Sequence, residues 1–234
     1  MKRMIKISLI LLLVGMAVIA AVLFLKEKGA EKKYENDFKN IQESVTEKKP
    51  DVNGLVKKNK DCIGYVQIPG TTISYPVMQT KDKPDFYLNH DFNRNYSFYG
   101  TPYLSAYCDV NKSDNLIIYG HNINGGKMFG ALEQYKDKEF FNKHRKIYFT
   151  TDKKRKYEVF AVMSVNIHEF EYWKFVMARD AKEYDEFVDK VEEQSLWRQG
   201  NKPKYGEQML MLSTCNNGRG DDWRIVLIAK CVYS

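Results

Sequence analysis

Three residues of types that carry out acyl chemistry stand at the ends of strand-like runs. Cys215 closes the apolar run "MLMLSTC". A polar, glycine-bearing stretch follows, and Arg224 opens the next apolar run, "RIVLIAK". His121 follows "NLIIYG" and opens the glycine-bearing loop "HNINGG". A cysteine attacks as its thiolate. An imidazole can donate a proton to a leaving amine. A guanidinium can donate hydrogen bonds to a substrate carbonyl or to the oxyanion that forms from it, and its planar fork gives directed donors that a lysine lacks. Together they could run acyl transfer through a covalent intermediate. The competing reading is a buried cysteine serving as a small hydrophobe and an arginine serving as a solvated strand-end charge. Arg219, between Gly218 and Gly220 in the same loop, is read as that kind of solvated charge.

Other reactive constellations are not supported. His90, His144 and His168 read as surface or packing residues. No histidine pair has the HExxH spacing of a zinc hydrolase, and neither a GxSxG elbow nor a Walker loop occurs. Cys62, Cys108, Cys215 and Cys231 form no CxxC pair, which argues against a zinc ribbon or a thioredoxin-type site. With Cys215 as a working thiol, no structural disulfide is expected.

The chemistry requires elements that gather these strand ends at one rim. From Ile63 onward the chain is a series of short β-branched and aromatic runs with turn residues between them. They are "IGYVQI", "TISYPV", "NLIIYG", "KIYFT", "YEVFAVMSV", "QMLMLST" and "RIVLIAKCVY". That texture predicts an all-β barrel or sandwich. Two helical insertions are expected, over "KMFGALEQY" and over "AKEYDEFVDKVEEQSLW", the second with Tyr184, Phe187, Val188 and Val191 on one face.

The 234 residues suit one sizeable domain plus an appendage. Hydrophobic residues make up 44% and aromatics 14%, enough for a core. The net charge of +7 lies mostly outside the folded part. Residues 1–25 carry Lys2, Arg3 and Lys6 and no acids, and residues 26–60 carry ten lysines against seven acids. The remainder is left with about +1, which argues against nucleic acid as a partner. Ile7 to Leu25 is a run of nineteen residues without a charge, long enough to span a bilayer and longer than a signal-peptide core. It reads as an uncleaved anchor. Flanking lysines on both sides leave orientation undecided by charge, and the very short N-terminal tail favours export of the large C-terminal part. Tyr34, Phe38, Ile41 and Val45 then recur at helical spacing up to Pro50, followed by a shorter segment around "VNGLVKKNK". The expected organisation is an anchor over 1–25, a helical stalk over 26–60 and a β-barrel domain over 61–234.

"LSTC" closing a strand, an arginine nine residues later opening the next, and "IIYGHN" upstream resemble sortases, the cysteine transpeptidases of Gram-positive surfaces. The resemblance runs from about Ile63 to the C-terminus, and the N-terminal anchor agrees with it. The helical insertion before "QMLMLSTC", the N-terminal helices and the "FYLNHDF" segment are similar to class B members. The resemblance implies a sortase-type closed β-barrel with Cys215 as nucleophile, His121 as the histidine and Arg224 as the arginine. Leu88 and Ser213 match positions near the substrate groove. It further implies that a C-terminal sorting motif of the NPxTN or (S/N)PxTG type, borne by exported surface proteins, is cleaved through a thioacyl intermediate. A peptidoglycan-precursor amine would receive the acyl group. No metal or other cofactor is required by any residue in view. The alternatives are a pilus-type sortase, although no clear lid loop is seen, a cysteine peptidase releasing its acyl group to water, and a non-catalytic surface-binding β domain.

Overall fold

The computed structural model describes residues 2–43 and 50–233. The chain divides into two units, Met1–Thr46 and Glu47–Ser234.

The described part of the first unit is one helix, α1 (Lys2–Glu43), 42 residues long. Ile10–Gly29 is long and apolar enough to cross a membrane, since 20 residues rising about 1.5 Å each span about 30 Å. Leu11, Leu23 and Leu25 on this stretch stand exposed. The helix continues through Lys26 without a break, as expected of a chain whose first proline is Pro50. Tyr34, Phe38 and Ile41 lie on α1; Val45 lies outside the described residues.

In the second unit, the Asp51 carboxylate accepts a hydrogen bond from the Gly54 amide at 2.9 Å and caps α2 (Val52–Lys58), which buries Val52 and Leu55. The strands then follow: β1 (Cys62–Gln67), β2 (Ser74–Met78), β3 (Tyr103–Leu104), β4 (Asn115–Tyr119), β5 (Asn122–Ile123), β6 (Lys127–Met128), β7 (Lys146–Thr150), β8 (Lys154–Asn166), β9 (Ser195–Arg198), β10 (Met209–Cys215) and β11 (Trp223–Tyr233). Their order is β11–β10–β4–β3–β2–β1–β7–β8, and β8 pairs back onto β11. Eight strands thus close into a barrel, which leaves no open sheet edge between them. β9 adds to β8 outside this ring, and β5 and β6 form a separate hairpin.

Most pairs are antiparallel, but β4 and β10 run parallel, as do β2 and β3. The apolar runs explain the centre of the barrel. Met209 to Leu212 are buried without exception, the pattern of a strand covered on both faces rather than one alternating between core and water. β11, between β10 and β8, buries Ile225 to Ala229 in the same way.

Asp180 caps α4 (Ala181–Glu193) by accepting from the Glu183 amide at 2.9 Å. The four expected apolar positions, Tyr184, Phe187, Val188 and Val191, are the buried ones. Phe187 stacks on Phe175 with ring centroids 3.8 Å apart.

The elements differ from expectation in several places. The stretch expected to be helical over 127–135 begins as β6, and a 3-10 helix then spans Gly130–Lys136. A Cβ at Gly130 would meet the Ile123 carbonyl oxygen, so that chain crossing fixes the local path. The second expected helix stops at Glu193, and Ser195–Arg198 extends along β8 as β9. There the Trp197 indole N–H reaches the Lys136 carbonyl at 3.0 Å, a long-range bond that overrides the helical pattern. β3 and α3 (Lys138–Lys143) were not expected. Two residues of strand are too few to show a period, and α3 is a short helix capped by Asp137.

Candidate active site

The parallel pair β4–β10 does what the chemistry requires. Parallel neighbours end at the same rim, and here Tyr119 pairs with Ser213, two residues before each chain reaches its reactive side chain. His121 and Cys215 therefore emerge side by side from adjacent strands. The register is carried one step beyond the strand by the Gly120 amide, which donates to the Ser213 carbonyl at 3.1 Å. Position 120 has to be glycine, because a Cβ would lie 2.7 Å from the Phe129 ring. β11 starts at this same rim in the antiparallel sense, and Arg224 is the direct cross-strand partner of Cys215.

Backbone carbonyls hold the His121 and Arg224 side chains. His121 Nε2 lies 2.7 Å from the Leu88 carbonyl oxygen. A carbonyl only accepts, so Nε2 carries the hydrogen in this contact, and Nδ1 is the nitrogen left to take up or give a proton. The Phe98 ring lies nearly parallel to the imidazole, with centroids 6.4 Å apart. Arg224 donates through Nη1 to the carbonyls of Asp221 and Trp223, which fixes the guanidinium from the turn side. Asn122 donates through Nδ2 to the Cys215 carbonyl at 2.7 Å.

Cys215, His121, Arg224, Leu88 and Ser213 all line one cleft of about 610 Å³. Tyr103, Tyr107, Tyr119, Tyr172 and Trp173 contribute aromatic surface to its walls. Tyr107 is 79% exposed and stands at the surface. Such an apolar trough with few polar groups fits an extended peptide whose backbone is read by fixed donors. The Ser213 hydroxyl is buried and lies 2.7 Å from the Tyr172 hydroxyl. Burial pushes the Tyr172 phenol up to about 12. Burial, then the charge of Asp85, raises the Tyr103 phenol as well, and that phenol donates to Asp85 at 3.1 Å. These tyrosines are neutral donors at neutral pH, not bases.

Arg219 is an exposed charge, as expected, and it also packs on a neighbouring ring. Its guanidinium sits 3.8 Å from the Trp223 ring centroid, with Nη1 3.4 Å from Ser164 Oγ, and it does not line the cleft. The other histidines pack locally. His90 stacks on Phe86 at 3.8 Å, His144 packs on Phe140 at 4.0 Å, and exposed His168 lies 3.5 Å from Asp222. Cys62 and Cys108 are buried thiols, each pushed up to about 11 by desolvation.

Sequence reasoning missed Tyr172 and Trp173, which reach the cleft from the β8–α4 connection and carry no motif. Tyr119 stood inside the quoted "IIYGHN" and could have been found from its place beside His121.

A closed barrel that presents a cysteine, a histidine and an arginine around one peptide-sized cleft is the architecture of a β-barrel acyl-transfer enzyme. The family model for the sortase domain matches residues 66–232, and the chain is 30% identical to Sortase B from Staphylococcus aureus over 99% of its own length and 98% of that protein. The chain belongs to the sortase family of cysteine transpeptidases. It is similar in structure to the Staphylococcus aureus sortase B–substrate complex, with a TM-score of 0.76 at 27% identity over 89% of this chain and 98% of the other. A sortase B complexed with triglycine gives a TM-score of 0.75 at 27% identity over 88% and 98%.

Proposed function

We propose that this sortase acts as a class B enzyme at the outer face of a cell membrane, and that Cys215, His121 and Arg224 are its catalytic residues. The Cys215 thiol gives its proton to His121 and attacks, as thiolate, the threonine carbonyl of a sorting motif of the NPxTN or (S/N)PxTG type. Arg224 donates to the carbonyl oxygen as negative charge builds there. The C–N bond breaks, and His121 gives a proton to the departing amine. Because Nε2–H is engaged by the Leu88 carbonyl, Nδ1 is the nitrogen that carries this proton. A primary amine of a peptidoglycan precursor then attacks the thioester, loses a proton to the imidazole and releases Cys215. Leu88 and Ser213 contribute to the groove that holds the motif, Leu88 by its side chain and Ser213 through its bond to Tyr172.

The observation that carries this reading is the cross-strand pairing of Cys215 with Arg224 beside the end of the strand that leads into His121. The substrate and triglycine complexes of similar proteins support a peptide donor and an amine acceptor. A test is product partition with full-length protein in detergent. Adding triglycine to a reaction with a motif peptide should divert product from free acid to amide. Product that stays entirely hydrolytic at saturating amine would favour a peptidase. Membrane placement rests on the Ile10–Gly29 stretch. Protease added to intact protoplasts should digest the barrel, and complete protection would refute the orientation.

A further inference from the structure

We propose that Asn122 is a positioning residue: its carboxamide ties the His121 loop to the end of β10 and thereby sets the spacing of imidazole and thiol. The inference rests on reading Cys215 as the nucleophile and His121 as the acid.

Two observations carry it. The Asn122 Nδ2 amide is used twice, donating to the Cys215 carbonyl at 2.7 Å and to Glu133 Oε1 at 2.8 Å. Both acceptors can only accept, so the orientation of the carboxamide is fixed with its nitrogen toward them. Second, the link is not a single bond but one side of a ring. The Glu133 carboxylate pairs with the Lys136 ammonium. Lys136 in turn donates to Asn216 Oδ1 at 2.7 Å, and Asn216, fully buried, donates through Nδ2 to Ser164 Oγ at 2.9 Å. The ring therefore starts at the residue after His121 and returns to the residue after Cys215. A further bond closes it from the loop side, where Asn217 Nδ2 reaches the Asn122 carbonyl at 3.3 Å.

The parallel ladder of β4 and β10 stops at Tyr119 and Ser213. Beyond the Gly120–Ser213 bond, that ladder no longer ties the His121 segment to β10, while Cys215 stays paired with Arg224 of β11. Asn122 is the side chain that spans this gap directly. Misplacing a reacting group by about 1 Å can cost on the order of 10²-fold in rate, so the loss expected from removing the tie is catalytic rather than one of binding. Asn122 is not among the residues that line the cleft.

The test compares Asn122→Ala, Asn122→Asp and Glu133→Gln in the full-length chain, with kcat, KM for a motif peptide and Tm measured for each and Cys215→Ala as control. Asn122→Ala should lower kcat by about 10- to 100-fold, with KM within about two-fold and the melting transition retained. Asn122→Asp preserves shape but offers an oxygen to two acceptors, one of them charged, and should be no better than Ala. Glu133→Gln keeps an oxygen acceptor for Asn122 and should stay within about three-fold of the unaltered enzyme. If Asn122→Ala does not fold, the isosteric Asn122→Asp decides. Near-normal kcat in either folded variant, or a loss confined to KM, overturns the proposal. Turnover by Cys215→Ala would instead overturn the assignment of the nucleophile, on which the proposal depends.

Discussion

Cys215 and Arg224 are directly opposed residues of the antiparallel pair β10–β11. Their side-by-side placement follows from strand register, not from flexible loop geometry, and the guanidinium is braced by the carbonyls of Asp221 and Trp223. Loss of one oxyanion donor costs about 10²–10³ in rate, or roughly 2.7–4 kcal/mol. Arg224→Ala should lose at least that much transpeptidation with its fold intact. Arg224→Lys should recover little, because it keeps charge without the fork. Steady-state kinetics of both variants check this.

Arg219 should behave in the opposite way. It packs on the Trp223 ring at 3.8 Å outside the cleft. An exposed cation–π contact contributes about 0.5–1 kcal/mol. Arg219→Ala should lower stability by that order in urea denaturation while kcat stays near normal. A crippled Arg219→Ala beside a harmless Arg224→Ala would mean that the two arginines had been exchanged in role.

Burial separates the thiols. Desolvation pushes the Cys62 and Cys108 thiols up to about 11, so at pH 8 both stay in the unreactive thiol form. Raising the pH toward 11 increases the thiolate fraction, and unfolding removes the burial that suppresses it. In the native protein at pH 8, iodoacetamide should spare both residues, and in urea it should modify both. Peptide mapping reads the outcome directly.

Ser213 and Tyr172 share a buried hydrogen bond of 2.7 Å. Ser213→Ala leaves the Tyr172 hydroxyl unsatisfied at a cost of about 1–3 kcal/mol. Adding Tyr172→Phe removes the stranded group, so the double variant should be more stable than Ser213→Ala alone. A double-mutant cycle by chemical denaturation measures the coupling.

Phe187 secures the helical insertion. It is buried on α4 and stacked on Phe175. Phe187→Ala should destabilise the protein by about 3–5 kcal/mol, measured as a lower urea midpoint with little change in slope.

The seven long strands and α4 were legible because each carries its own period or apolar run. The proposed site residues could be picked out for a different reason. Cys215, His121 and Arg224 sit at run boundaries, so their position in the sequence already says that they emerge at strand ends. The sequence does not record which strands are neighbours. The parallel pairing of β4 with β10 brings His121 to Cys215, and it joins residues about 95 positions apart. Tyr172, Trp173 and Asn122 were hidden for the same reason, since their roles come from long-range contacts. β9 was misread because "SLWR" follows a helix without a break, and only its pairing with β8 makes it a strand.

The central claim is covalent catalysis at Cys215. The direct measurement is intact-mass and peptide-level mass spectrometry of the full-length chain, quenched in acid after brief exposure to a sorting-motif peptide. The account predicts a mass increase equal to the acyl fragment ending in threonine. The adduct should map to the peptide that contains Cys215, be absent in Cys215→Ala and be discharged by triglycine. Peptide cleavage by Cys215→Ala at an undiminished rate, or an adduct carried by any other residue, would contradict it.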